Sequence, residues 1–400
     1  MHQITPCPTH VPSDRVIDFD VYNPIQGAEE YHQAWYALHG ANLQDLVWTP
    51  RHGGHWLVLG GHLVDKVMAD YESFSNRIIA VPKEIGEFGH ILPMTSDPPA
   101  HAGYRNVLNA GLSPRRIRAN EDRIRNLSIS LIETVREKGL CDFNSDYAEI
   151  LPIHIFLDMM DLPLYDAPKL TALAHQIIRP TGLLDDPFAG LYNYIKPIAE
   201  ARRGGDGDDI VSHLVNGRIN GEPVDMATTL SLCGNILLGG LDTVVNFLGF
   251  AMLFFARSPD HRRQLAEDPQ LIPNAITELG RRFGVVVAAR EVRRNVILDG
   301  VSLKEGDLIV VPTLMNGLDG RENPNPLKVD FHRDSVRQTL FGNGSHKCPG
   351  ALLARTEIRI TLEEWLARIP DFELAPGTVI EFKGGIIGGI KQLPLVWNAA

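Results

Sequence analysis

Apolar residues recur at helical spacing through the middle of this chain. Leu230, Cys233, Leu237, Leu241, Val244, Leu248 and Phe255 share one helix face. Asn235, Gly239, Asp242 and Asn246 fall at i, i+4, i+7 and i+11 on another, so the most apolar helix carries a small and polar stripe. A membrane span rarely carries Asn235, Asp242 and Asn246 together, so the run 230–256 predicts a buried helix. Residues 97–257 read as mostly helical, with a polar break at 202–209. After Arg281 the period changes. Residues 285–287, 296–298 and 308–311 read as strands, separated by turn signals such as Asp299-Gly300 and Glu305-Gly306. Upstream, 51–59 reads as a strand hairpin and 62–69 as a short helix, and a last long helix covers 349–367. The proline-rich residues 1–20 predict an extended surface segment. The pattern as a whole predicts a mainly α fold with a minor β region.

Composition narrows the function. Of 400 residues, 44% are hydrophobic, enough for a large core, and the formal net charge of −11 argues against a nucleic-acid partner. Cys7, Cys141, Cys233 and Cys348 are far apart and form no CxxC pair, which argues against a zinc site or a disulfide scaffold and suits a reducing cytoplasm. The first residues show no basic stretch followed by an apolar run, so no signal peptide and no membrane anchor are expected.

The chemistry concentrates in Phe341-Gly342-Asn343-Gly344-Ser345-His346-Lys347-Cys348-Pro349-Gly350. A thiolate just before a helix is stabilised by the helix dipole and by unpaired backbone N–H groups. Such a thiolate can serve as the fifth ligand of haem iron, where it pushes electron density onto the metal and favours O–O cleavage. Gly342 and Gly344 allow a tight turn close to a flat ring, and Gly350 leaves space beside the thiol. The alternative is a structural thiol before a helix. On the central helix, Gly239 and Gly240 each cost about 1 kcal/mol relative to alanine. Gly239 leaves room for a flat cofactor or a gas molecule, and the Thr243 hydroxyl can reach the Gly239 carbonyl and bend the helix. The alternative there is close helix packing, with Asp242 as a paired core acid.

The cysteine segment resembles the ligand loop of the haem-thiolate monooxygenases, the cytochrome P-450 family. Gly239-Gly240-Leu241-Asp242-Thr243 resembles that family's oxygen-activating segment, and Glu278-Leu279-Gly280-Arg281 its Glu-x-x-Arg pair. A closer resemblance, to bacterial camphor hydroxylases, appears in residues 239–248 and 341–348, in Glu363-Trp365-Leu366 and in Arg368-Ile369-Pro370-Asp371-Phe372. The resemblance implies one domain over 1–400 in the triangular cytochrome P-450 fold. Haem b would lie between the long central helix and the cysteine loop. By resemblance Cys348 is the iron ligand, flanked by Phe341, Gly239 and Gly350. His101, Arg105, Arg290 and His346 would meet the haem carboxylates. Asp242 and Thr243 would manage the protons needed to split dioxygen, a task set by geometry. Glu278 and Arg281 would form a buried structural ion pair.

The chain departs from camphor hydroxylases where they hold substrate. Gly89 takes the place of the tyrosine that donates to the camphor ketone, Ala80 replaces a pocket phenylalanine, and Ile178 a threonine. His90 is either a replacement donor or a solvent-facing residue. Asn235, Leu238, Gly239 and Val286 align with other substrate-facing positions, leaving a mainly apolar lining suited to a terpenoid or norisoprenoid ketone such as an ionone. Camphor itself is the alternative. Pro349 supplies no N–H to the thiolate. No flavin or nicotinamide fingerprint is visible, so the resemblance implies electrons from NAD(P)H through a separate reductase and a 2Fe–2S ferredoxin. Arg105, Arg337, Lys347 and Arg355 are candidates for a basic docking patch. The expected enzyme is a cytoplasmic monomer. A non-enzymatic haem-thiolate sensor is the rival reading, and a peroxide-driven peroxygenase a second.

Overall fold

A computed structural model describes residues 4–25, 30–86, 91–178 and 186–399. In chain order the elements used below are β1 (Leu46–Thr49), β2 (His55–Val58), α1 (Gly61–Ala69), β3 (Phe74–Ser75), α2 (Ala100–Gly111) and α3 (Glu121–Arg136). They continue with α4 (Ile150–Met159), α5 (Ala167–Ile178), α6 (Ala189–Arg202), α7 (Met226–Leu241), α8 (Thr243–Arg257) and α9 (Ile272–Arg282). The last are β4 (Val287–Val292), β5 (Leu308–Pro312) and α10 (Ala351–Arg368). The chain divides into two compact units, Met1–His101 with Glu278–Cys348 and Phe382–Gly388, and Ala102–Thr277 with Pro349–Glu381 and Gly389–Ala400.

The first unit is built on a five-stranded sheet, ordered β1-β2-β5-β4-β3. β1 and β2 are antiparallel, with Trp48 opposite Trp56. β2 and β5 run parallel, and β4 is antiparallel to both β5 and β3. The hairpin starts earlier than the sequence pattern predicts. Leu46 to Thr49 are all buried and show no alternation, so only pairing marks them as a strand. Residues 50–54 are the turn. The segment after Ile4 has one short helical turn, Ser13–Arg15, and is tied to the sheet by Thr5 N–H on the Pro50 carbonyl at 3.0 Å and Ile17 N–H on the Trp48 carbonyl at 2.9 Å. The end of α9 carries the main buried charge of this unit. Glu278 and Arg281 are 1% and 0% exposed and form a two-pronged pair, Nε and Nη2 each 2.8 Å from a carboxylate oxygen.

The second unit is helical. α7 starts at Asp225, whose carboxylate accepts from Thr228 N–H at 2.7 Å, a side-chain cap. α7 packs on α6, α4 and α5, while α10 packs along α3. Arg125 joins Glu363 at 2.7 Å and also Glu364, and Arg359 joins Glu121 at 2.6 Å across α3 and α10. Beneath them the Tyr147 hydroxyl links Ser128 at 2.6 Å to Thr361 at 3.0 Å, so these three hydroxyls are satisfied. The expected central helix is two, broken at Asp242. Together Met226–Arg257 is long and apolar enough to cross a membrane by length and composition, yet 89% of its most apolar stretch is buried inside the fold.

Candidate active site

In the first unit the cysteine loop closes on itself. The Thr339 hydroxyl donates to the Thr313 carbonyl at 2.9 Å, and Gly342 N–H to the Thr339 carbonyl at 2.9 Å. The Asn343 side chain caps a helical turn, Gly344–His346, and also reaches the Asp65 carboxylate at 3.2 Å. Cys348 N–H then returns to the Phe341 carbonyl at 2.8 Å. Gly344 has φ +68°, and a Cβ there would lie 2.8 Å from the Met68 carbonyl oxygen. Backbone conformation and the end of α1 therefore both require glycine. The Cys348 side chain leaves this loop exposed.

Of this unit's candidate carboxylate anchors, His101 and Arg290 are buried and His346 is half-buried. His101 and His346 meet with ring centroids 4.3 Å apart. Arg290 on β4 is 6% exposed. Its Nη1 donates to the Ala289 carbonyl at 2.7 Å, but its Nε has no hydrogen-bond partner among the described residues. Burial pulls this guanidinium down to about 10, partly offset by Asp97. A buried cation with an unmet donor, offset only in part by Asp97, suits a further anion. Together with an exposed thiol on a glycine-bearing loop, this set fits a dianionic thiolate-ligated haem. Ala80 is buried beside Ile79, whose carbonyl accepts from Ala289 N–H at 2.9 Å. The Val286 carbonyl accepts from both the N–H and the hydroxyl of Thr313.

In the second unit α7 ends where its polar stripe begins to matter. The Thr243 hydroxyl donates to the Gly239 carbonyl at 2.9 Å, and Asn246 Nδ2 to the Asp242 carbonyl at 2.5 Å. These side-chain bonds compete with the helix ladder and accompany its break. The two glycines have different reasons. A Cβ on Gly240 would sit 1.9 Å from the Phe156 ring, so α4 excludes it, whereas nothing lies within 4 Å of a Cβ on Gly239. Asn235, Leu238 and Asp242 are buried at 7%, 7% and 3% exposure. Arg105, on α2 with His101, donates from Nε to Asn109 at 2.8 Å. Gly350 is the residue preceding α10. Ile178 closes α5, and Gly89 and His90 lie outside the described residues.

Sequence reasoning missed two charged positions. Arg333 Nε and Asp330 N–H both donate to Glu278, at 2.8 and 3.0 Å, making the expected pair a larger network. Glu357 on α10 is fully buried, and neither carboxylate oxygen has a partner among the described residues. Burial pushes it up to about 8. The available signal was its spacing with Leu353, Ile360 and Thr361 on the buried face of α10.

Residues 183–382 match the family model for cytochrome P450. A probable cytochrome P450 127A1 from Sinorhizobium fredii is 30% identical, covering 98% of this chain and 97% of that protein. The chain is a cytochrome P450. Two solved structures are similar throughout, each covering 98% of this P450 and all of the matched chain. CYP101J2 is 42% identical with a TM-score of 0.94, and CYP101C1 is 37% identical with a TM-score of 0.91. The P450 fold and a haem b cofactor follow, and the protein is an oxidoreductase of the monooxygenase class. The non-enzymatic sensor reading thereby loses its ground. Haem b, when bound, supplies the iron at which dioxygen is activated.

Proposed function

We propose that this P450 hydroxylates a small, mainly apolar terpenoid or norisoprenoid ketone, ionone-like in skeleton. Electrons come from NAD(P)H through a flavoprotein reductase and a 2Fe–2S ferredoxin, and the enzyme works as a cytoplasmic monomer. In this reading Cys348 holds the iron, with Phe341, Gly239 and Gly350 beside the ring. His101, Arg105, Arg290 and His346 hold the haem carboxylates, and Asp242 and Thr243 deliver protons. Ala80, Ile178, Asn235, Leu238 and Val286 face substrate, with Gly89 and His90 on the segment that carries the family's tyrosine. The observation that carries the reading is the open space over Gly239, flanked by buried Leu238 and Asn235 on α7 and followed by the Thr243–Gly239 bond. Likeness to CYP101J2 and CYP101C1 supports it.

Parallel spectral titrations with β-ionone and camphor test the substrate class. Substrate entry displaces water from the iron and moves the Soret band. β-Ionone should bind more tightly, because the tyrosine donor and two pocket rings of the camphor enzymes are absent here. A tighter constant and a larger shift for camphor would overturn the preference. Turnover with NADH, reductase and ferredoxin, compared with peroxide alone, tests the electron source.

A further inference from the structure

We propose that Asp65 is a positioning residue for the iron ligand: its carboxylate ties the cysteine loop to α1 and so holds Cys348 in place. The inference rests on the reading of Cys348 as that ligand. Two bonds that close the loop, Gly342 N–H on the Thr339 carbonyl and Cys348 N–H on the Phe341 carbonyl, run within it and do not hold it against the fold. Asn343 does. Its Nδ2 donates to one Asp65 oxygen at 3.2 Å while its Oδ1 accepts from Gly344 N–H at 2.8 Å.

Asp65 stands on the face of α1 that meets the loop. Gly61, Asp65 and Met68 fall at i, i+4 and i+7, and the Met68 carbonyl is what excludes a side chain at Gly344. The other Asp65 oxygen accepts from Asn316 Nδ2 at 3.1 Å. Asn316 is 2% exposed and is itself fixed. Its Nδ2 also donates to the Gly61 carbonyl at 3.0 Å, and its own carbonyl accepts from Asn323 at 3.1 Å. Asn323 in turn holds the N–H and the carbonyl of Arg337, on the segment leading into the loop, each at 3.0 Å. The carboxylate therefore sits between two amide donors, one on a buried floor and one on the loop. That placement decides the residue type. An ionised carboxylate only accepts, so both bonds form. An amide at 65 would turn its NH2 toward one of the two donors, and a flip of Asn343 to meet it would give up Gly344 N–H.

The test is an exchange. Asp65→Asn and Asn343→Asp combined reverse donor and acceptor across the contact. Asn316 then donates to the amide oxygen at 65, the amide donates to the carboxylate at 343, and Gly344 N–H keeps its acceptor. Each change alone sets like groups face to face. The readout is the decay, on mild warming, of the red-shifted Soret band of the reduced carbonyl complex in haem-loaded protein, with circular dichroism reporting the fold. Asp65→Asn and Asn343→Ala should each speed the decay about tenfold, and the exchanged pair should restore the wild-type rate. If Asp65→Asn does not fold, Asn343→Ala, which leaves α1 intact, carries the comparison. Wild-type decay in the single variants, or a folded exchanged pair that decays as fast as they do, overturns the role of Asp65 and leaves Cys348 as ligand. Survival of the band in Cys348→Ser overturns the ligand reading, and the positioning role with it.

Discussion

Replacing Glu278 by glutamine tests the buried charge network of the first unit. The carboxylate accepts four hydrogen bonds, two from Arg281 at 2.8 Å, one from Arg333 at 2.8 Å and one from Asp330 N–H at 3.0 Å. Glutamine keeps the shape and one acceptor, but its amide N–H2 opposes a guanidinium donor. The Arg281 charge is then left at 0% exposure with no carboxylate, only the amide oxygen and the carbonyls of Gly317, Pro326 and Lys328 around it. Breaking one side of such a buried pair costs about 3–5 kcal/mol, a large share of a typical total of about 5–15 kcal/mol. The control is Glu133, 44% exposed, which pairs with Arg136 at 3.4 Å and with Arg368 at 3.1 Å near the surface. An exposed pair contributes about 0–1 kcal/mol. Because a bound cofactor violates two-state unfolding, the readouts are the thermal midpoint and the haem retained per chain. Glu278→Gln should lower both sharply, and Arg281→Lys should follow, since an ammonium cannot reproduce the fork. If Glu278→Gln matches Glu133→Gln in both readouts, the network carries no stability and the reasoning fails.

Other outcomes follow from single groups. Cys348→Ser should abolish the red-shifted Soret band of the reduced carbonyl complex, and survival of that band would remove Cys348 as iron ligand. Thr243→Ala removes the hydroxyl bonded to the Gly239 carbonyl and should divert reducing equivalents to free peroxide, measured as product formed per NADH consumed; unchanged coupling would exclude the residue from oxygen chemistry. Glu357, raised by burial from 4.5 to about 8, holds a proton in the fold that the unfolded chain releases. Its stabilising contribution is complete below about pH 4.5 and lost as pH rises through 8, an upper figure of about 4–5 kcal/mol. Thermal midpoints from pH 6 to 9 should therefore fall for wild type and stay flatter for Glu357→Gln, and parallel slopes would refute the assignment.

Local pattern carried the helices, the cysteine loop and the Glu278–Arg281 spacing, because each is a short-range arrangement of residue types. The bend near Thr243 was legible for the same reason, since a hydroxyl reaches the carbonyl four residues back. Pairings over long separations left no such mark. β2 and β5 run parallel across some two hundred and fifty positions, and nothing in either strand names its partner. Buried charge was also hidden. Arg333 and Glu357 read as surface residues by type, and only packing takes Glu357 out of water, and Arg333 partly so.

The two glycines of α7 show how sequence and packing divide the evidence. In the sequence Gly239 and Gly240 are equivalent costs in a helix interior, with cofactor space and helix packing as competing reasons. In the fold the packing reason applies to Gly240 alone, and Gly239 faces open space. Gly240 is required by the Phe156 ring, and Gly239 by nothing the protein itself contains. A methyl group at 240 would disturb the contact between α7 and α4, whereas a methyl group at 239 would enter open space. Unfavourable glycine at 240 is therefore explained by packing, whereas at 239 the reason lies in space that no protein atom fills.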